Sequence, residues 1–346
     1  MRTSGHGRVP ALDGLRGAAI LVVVLDHAGV RAFHGAGGVG VTLFFVLSGF
    51  LITGLLLRER DRTGRIDLRA FYLRRARRLL PALIVFLVVT VVLYGSMAVP
   101  SAVVTILYIA NVPAAGSGTA LFFPLHHMWS LAVEEQFYLV WPAAAILALR
   151  FCRESRRLAG WLLGLTALAL VVRAGGYPLL GYDWAYRSTI ANLFPLLAGA
   201  TVAGYVRWSA RRSSRTLGGL GVLLLAAATF APVAATEDWR IVSTLVAAVG
   251  ATMLLTRSDR WMTFAPLRYC GRISYGWYLW HVLLQFELGG IEGTVASFGV
   301  AAISFHFLES WWTSDPPARP VPSSAVEPLR QGDALQRRRV AAEPEL

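Results

Sequence analysis

The feature that most constrains this chain is a series of long apolar stretches that recurs along almost its whole length. A mostly apolar stretch of about 17 to 25 residues is long enough to cross a bilayer as one α-helix. The chain is 55% hydrophobic and only 15% charged, unlike an ordinary soluble domain. The sequence therefore predicts an all-α, polytopic membrane helix bundle with about ten transmembrane helices, at residues 17–34, 39–57, 79–98, 129–150, 158–175, 189–206, 217–235, 240–256, 274–289 and 293–312.

Three segments need a separate interpretation. Residues 101–113 are short and interrupted by proline, which predicts one short re-entrant or interfacial segment rather than a crossing. The first apolar stretch resembles the core of a signal peptide, but Asp26 and His27 interrupt it, so we expect a retained span. Residues 313–346 are rich in Pro, Arg and Glu without periodicity, which predicts a disordered cytoplasmic tail after a membrane domain over residues 1–312.

The basic residues indicate how the chain is oriented. All 33 of them are arginines, and the only ones outside the segments assigned to the inner side are Arg31, Arg173, Arg187 and Arg240. By the positive-inside rule, this bias predicts a protein of the cytoplasmic membrane with both termini in the cytoplasm. Because the positive charge is confined to short segments between apolar stretches, we expect no nucleic-acid partner despite a net charge of +13.

The first span carries a polar stripe. Arg16 and His27 are eleven residues apart, which at 100° per residue places them on nearly the same helix face about 16 Å apart along the axis. Asp13 shares that face. His27 is the best candidate for a general base, since a neutral imidazole accepts a proton at working pH. The alternative is a histidine that packs against a neighbouring helix.

Two further segments combine small or basic residues at helix spacing. Thr42, Ser48 and several glycines in the second span favour close helix packing, and Ser48 lacks the preceding glycine of a nucleophile elbow. The inner segment 58–78 carries nine arginines, of which Arg75 and Arg78 share a helix face. They are suited to clamp the phosphates of a nucleotide-like cofactor, and the alternative is contact with anionic lipid headgroups.

Later polar residues also fall within predicted spans. Glu134 and Glu135 lie just inside the predicted outer surface, where a carboxylate needs a partner such as Arg16, His27 or an acceptor hydroxyl, unless it simply lies at the water boundary. His126 and His127 lack a third metal ligand at convincing spacing, so we predict no metal site. His281 lies among aromatic residues, for which packing is the default. Cys152 and Cys270 predict no structural disulfide.

Read in order, these segments resemble the acyltransferase 3 family of membrane acyltransferases, which acylate surface polysaccharides and macrolides. The similar segments, spread over about residues 8–312, are RVPALDGLRGAAILVVVLDH, GVTLFFVLSGFLITGLLL, FYLRRARRLLP, HMWSLAVEEQFYLVWP and ISYGWYLWH, with a weaker match in FLESWWTSDP. The resemblance implies an enzyme with acyl-CoA as co-substrate, acetyl-CoA being the expected one, and no permanently bound cofactor.

The resemblance also assigns roles to particular residues. It implies His27 as the catalytic residue, and we expect Glu134 or Glu135 to orient the acceptor or support the imidazolium. It implies donor binding by basic residues near the inner surface, and we assign substrate binding to four further positions. The donor-binding set is Arg16, Arg75 and Arg78, and the substrate-binding set is Asp13, Ser48, Trp129 and His281.

The sequence leaves alternatives open for the acceptor, for the route of transfer and for the class of protein. The acceptor is a surface glycan or another carbohydrate-containing molecule, with a macrolide as the second possibility, and transfer is either direct or through an acylated His27. A transporter or flippase is the alternative of another class, although the sequence shows no internal repeat. Asp26 and His306 depart from the residues common in the family, which leaves open whether Asp26 acts on His27.

Overall fold

The computed structural model describes residues 10–116, 121–152, 154–209, 215–230, 236–255 and 261–309. Every regular element in these ranges is helical, which confirms the all-α prediction. In chain order the α-helices are α1 (Pro10–His27), α2 (Gly37–Thr63), α3 (Leu68–Tyr94), α4 (Val99–Ile106), α5 (Asn111–Gly116), α6 (Trp129–Phe151), α7 (Ser155–Arg187), α8 (Thr189–Ser209), α9 (Arg215–Phe230), α10 (Glu237–Leu255), α11 (Ala265–Arg272), α12 (Ser274–Leu288) and α13 (Gly290–Ser304).

Several of these helices are suited to cross a membrane. Within the described ranges, seven helices are long and apolar enough to do so, namely α2, α3, α6, α7, α8, α10 and α13, the last together with its π-helical continuation to Leu308. The chain is therefore a multi-pass membrane protein. The predicted count of ten is not confirmed, because α12 has only 15 residues, α9 is described over 16 residues up to Phe230, and α1 carries three charged side chains.

The segment after α3 does not form a helix of spanning length. It folds into α4, with eight residues, and α5, with six. At 1.5 Å per residue, an eight-residue helix is about 12 Å long, well short of the hydrocarbon core. This agrees with the prediction that residues 101–113 do not cross, while their depth in the bilayer stays a prediction. The predicted tail over 313–346 lies outside the described residues.

Cross-helix contacts establish the relative directions of the helices that build the polar interior. Arg16 meets Ser274 and His27 meets His281, so residue numbers rise together along α1 and α12 and the two helices are parallel. Arg75 meets Glu135, whereas Tyr72, which precedes Arg75, bonds to Leu139, which follows Glu135. Helices α3 and α6 are therefore antiparallel. This alternation agrees with the predicted order of crossings, and the side that faces the cytoplasm stays a prediction.

Glycines bring several helices into close contact. A Cβ added to Gly49 of α2 would lie 1.8 Å from the carbonyl oxygen of Leu196, and one added to Gly199 of α8 would lie 1.9 Å from that of Val46. Only a residue without a side chain lets the two backbones approach this closely. The packing interpretation of the glycines in the second span is therefore confirmed.

Candidate active site

His27 is the last residue of α1, and its side chain is exposed. Its Nδ1 atom lies 2.8 Å from the carbonyl oxygen of Val23, one helical turn earlier. A carbonyl oxygen only accepts hydrogen bonds, so Nδ1 carries the hydrogen in the neutral ring. The lone pair is therefore on Nε2. The helix fixes the tautomer that a general base requires and leaves the basic nitrogen free for a substrate hydroxyl.

Three further imidazoles lie near His27, and the sequence did not predict this arrangement. The ring centroid of His27 lies 5.1 Å from that of His281 and 5.9 Å from that of His126. His127 completes the group, because its ring lies 5.0 Å from that of His281 and 5.9 Å from that of His126. We call these four residues the histidine cluster. Because the four residues belong to three different segments, no spacing in the sequence indicates that they meet.

The backbone carbonyl of Tyr278 orients two members of the cluster. It lies 3.0 Å from Nε2 of His127 and 2.8 Å from Nδ1 of His281, so each of these nitrogens is a donor. The other ring nitrogen of each residue is buried without a hydrogen-bond partner. Among the described residues, no group of three or more His, Cys, Asp or Glu side chains is arranged to hold a metal ion.

Arg16 lies on the same side of α1 as His27, as the helix spacing predicts. Its Nη2 donates a hydrogen bond of 3.2 Å to the hydroxyl of Ser274 in α12, the helix that also supplies His281. Its Nε is buried and has no hydrogen-bond partner. Arg16 thus offers an unused donor deep in the bundle.

The predicted donor-binding residues converge on one cavity. It measures about 260 Å³ and is lined by Arg16, Arg74, Arg75 and Arg78, together with Ser48, Glu134 and Glu135. A second cavity of about 50 Å³ lies next to it. The two share Arg16, Phe44, Leu131, Glu134 and Tyr275 as lining residues. Arg74, Arg75 and Arg78 of α3 therefore lie close to Arg16 of α1, although the two helices are far apart in the sequence.

The partners of the two glutamates differ from those expected. Glu135 forms a bidentate ion pair with Arg75, and the guanidinium also lies 3.5 Å from the ring centroid of Tyr138. Glu134 accepts a hydrogen bond of 2.9 Å from the hydroxyl of Ser48. Within the described residues, no hydrogen bond or ion pair joins either glutamate to His27. Of the partners considered for these glutamates, His27 is not among those observed, because both glutamates lie on α6 level with Arg75.

The other residues predicted to bind substrate are packed against neighbouring helices or side chains. Trp129 is 7% exposed and packs against Tyr186 and Phe45, with ring centroids 5.0 and 6.3 Å away. Asp13 lies where α1 touches α11, and its carbonyl oxygen would be 1.8 Å from a Cβ on Gly271. His281 is fully buried. Substrate contact by these residues and by Ser48 stays a prediction.

Asp26 acts on the backbone and not on its neighbour His27. Its carboxylate accepts hydrogen bonds from the amides of Gly35, at 2.6 Å, and Gly37, at 3.0 Å. These bonds close the loop between α1 and α2 and cap the start of α2. The unusual residue at position 26 therefore holds the segment that follows His27.

A helix bundle with an arginine-lined cavity at one level and a histidine cluster at another defines a multi-pass membrane protein with an internal polar site. A family model described as an acyltransferase domain matches residues 9–310, and the chain belongs to this acyltransferase 3 family. The resemblance stated from the motifs is thereby confirmed.

Curated relatives are similar over much of the chain. The peptidoglycan O-acetyltransferase OatA of Listeria monocytogenes is 32% identical over 89% of this chain and 57% of its own length. The putative peptidoglycan O-acetyltransferase YrhL of Bacillus subtilis is 30% identical over 89% of this chain and 55% of its own length. A putative O-acetyltransferase of Staphylococcus aureus is 35% identical over 56% of this chain and 34% of its own length. The chain therefore covers at most 57% of the length of any of these three relatives. No solved structure matches it.

Proposed function

We propose that this chain is a membrane O-acyltransferase that moves an acyl group, with acetyl as the expected one, from acyl-CoA to a hydroxyl of a surface glycan or another carbohydrate-containing acceptor. The observation that carries the proposal is the pairing, on one helix, of an arginine that lines an anion-binding cavity with a histidine whose basic nitrogen is free. About 16 Å of helix axis separates them, so one elongated donor can bind at one level and react at the other.

Each end of this arrangement suits one part of acyl-CoA chemistry. Guanidinium groups bind phosphate oxygens through paired hydrogen bonds, which favours the arginine-lined cavity for the nucleotide end of the donor. Arg75 is paired with Glu135, and Arg16, Arg74 and Arg78 line the same cavity and add positive charge to it. The exposed His27 is open to an acceptor that approaches from outside the bundle.

In direct transfer, Nε2 of His27 takes the proton of the acceptor hydroxyl as its oxygen attacks the thioester carbonyl. The carbon–sulfur bond breaks, the acyl group forms an ester with the acceptor, and CoA leaves as a thiolate. The proton on His27 then returns to solvent or to the thiolate, which gives free CoA. In the two-step alternative, Nε2 itself attacks the thioester and CoA leaves as a thiolate; the acceptor hydroxyl then attacks the acyl-imidazole, the bond between the acyl carbon and Nε2 breaks, and the hydroxyl proton passes to solvent.

The acceptor is proposed from the names of relatives. Two of them are named peptidoglycan O-acetyltransferases, which favours a wall glycan, acylated at the outer face of the cytoplasmic membrane. None of the three names mentions a macrolide, so that alternative gains no support. A transporter gains none either, since the family model is that of an acyltransferase domain.

The test is transfer from labelled acetyl-CoA to purified peptidoglycan by membranes that contain the wild type or a variant. We expect base-labile label on the glycan with the wild type, and loss of it with His27→Ala or Arg78→Ala. Matched controls are His34→Ala and Arg69→Ala, which remove exposed side chains outside the cavities. If the wild type labels neither peptidoglycan nor extracted cell glycans, or if the site variants match their controls at equal abundance, the proposed function is wrong.

A further inference from the structure

We propose that Val41 and Phe45 of α2, together with the hydrogen-bonded pair Ser130 and Tyr278, exclude acyl groups of butyryl size or larger and so favour acetyl as the transferred group. These residues close the smaller cavity, of about 50 Å³, that lies beside the arginine-lined cavity. The inference rests on the proposed function, because it concerns the donor of the same reaction.

The smaller cavity lies between the arginines and the histidine cluster. On one side it shares Arg16 and Glu134 with the arginine-lined cavity. On the other side its wall is the pair Ser130 and Tyr278, whose hydroxyl oxygens are 2.7 Å apart. The backbone carbonyl of the same Tyr278 holds His127 and His281. A donor whose phosphates lie at the arginines therefore directs its thioester end into this cavity.

The cavity wall combines the two surfaces that an acyl thioester needs. Val41, Phe44, Phe45 and Leu131 form an apolar side, which suits a methyl group. The polar side includes Arg16, whose buried Nε has no hydrogen-bond partner and is free to donate to an oxygen of the arm that precedes the thioester. Tyr278 donates to the carbonyl oxygen of His127 at 2.6 Å, so its hydroxyl proton is already committed. Arg16 is thus the available donor.

The size of the cavity sets the limit on chain length. A site needs about 10–15 Å³ to hold one water-sized group, so a volume of about 50 Å³ holds on the order of four such groups. Acetyl has three non-hydrogen atoms and butyryl has five. The wall is also rigid, because Phe45 is 1% exposed and packs edge-on against Trp129. The cavity therefore has room for acetyl and is too small for butyryl.

The experiment compares acetyl-, propionyl- and butyryl-CoA as donors for the wild type and Val41→Ala, with kcat/KM measured for each. One methylene in an apolar pocket changes discrimination by about 10- to 200-fold. We expect the wild type to prefer acetyl over butyryl by at least about tenfold, and Val41→Ala to raise the butyryl-to-acetyl ratio about tenfold. Val41→Leu narrows the cavity and is expected to slow acetyl transfer too.

The matched control is Val39→Ala, which makes the same truncation at a buried position of α2 that lines a separate apolar cavity. We expect it to keep the wild-type ratio. Equal use of acetyl and butyryl by the wild type, or the same ratio in Val41→Ala and Val39→Ala, would overturn the inference and leave the proposed function intact. Absence of transfer from every acyl-CoA would instead overturn the proposed function.

Discussion

The imidazole of His281 lies edge-on to that of His27, with ring centroids 5.1 Å apart and ring planes inclined by 71°. His281 is fully buried and anchored to the carbonyl of Tyr278, whereas His27 is exposed at the end of α1. A rigid ring therefore supports the ring that is proposed to react. This contact gives the histidine of the late-helix motif a physical role as a positioning residue for His27.

The first prediction concerns that support. We expect His281→Ala to lower kcat by about 10- to 100-fold, because displacement of a reacting group by about 1 Å is enough to cost that much. The KM for acyl-CoA should stay unchanged, since the arginine-lined cavity is untouched. Steady-state kinetics on purified protein measures both. A rise in KM with unchanged kcat would show that His281 serves donor binding instead.

A second prediction concerns His27 as the base. Loss of a general base typically costs about 10²- to 10⁴-fold in rate, so we expect His27→Gln to lower kcat by that factor. His34→Gln, in the loop after α1, should match the wild type. Direct transfer also predicts that labelled acetyl-CoA without acceptor leaves the protein unlabelled. Label that is retained on the wild type and absent from His27→Gln would indicate the two-step route.

The third prediction concerns the ion pair between Arg75 and Glu135, whose side chains are 22% and 11% exposed. Removal of one partner of a largely buried pair costs about 3–5 kcal/mol, because the other charge is left without compensation. We expect Glu135→Ala to lower the free energy of unfolding in detergent by up to this amount. The exchange Arg75→Glu with Glu135→Arg should restore part of it. Unchanged stability in Glu135→Ala would contradict the role of the pair.

A fourth prediction concerns the contact between α1 and α11. A Cβ on Gly271 would lie 1.8 Å from the backbone oxygen of Asp13, so Gly271→Ala forces the helices apart. Overpacking of this kind costs about 1–3 kcal/mol or more. The control is Gly299→Ala in α13, where a Cβ meets nothing within 4 Å. Thermal unfolding in detergent should show a lower midpoint for Gly271→Ala alone, and equal midpoints would refute the steric argument.

The fifth prediction concerns the thiol of Cys270, which lies in the short helix α11. Burial raises the pKa of this thiol above its ordinary value, so the thiolate is scarce at neutral pH. In a Cys152→Ser background, we expect slow alkylation at pH 7 whose rate still rises as the pH passes about 8.5. Cys270→Ser should keep full activity. Fast labelling at neutral pH in the folded protein, compared with the same protein in denaturant, would contradict the burial.

Local features of the sequence were read correctly because they depend on helix geometry alone. Apolar stretch length located the helices, and the period of the α-helix placed Arg16 and His27 on one face. The number of spans is not confirmed, since α12 has 15 residues and α9 is described over 16 residues, up to Phe230. Helix ends depend on caps and neighbours, which hydropathy does not measure.

What the sequence by itself determined is the all-α membrane fold, the absence of a long helix over 101–113, and a first helix that joins a cation to an imidazole. Only the tertiary structure decided that Glu135 pairs with Arg75, sixty positions away, and that His126, His127 and His281 gather around His27. Side chains on one helix are related by a fixed rotation per residue. Side chains on different helices are related only by how the helices pack, and no periodicity along the chain records that packing.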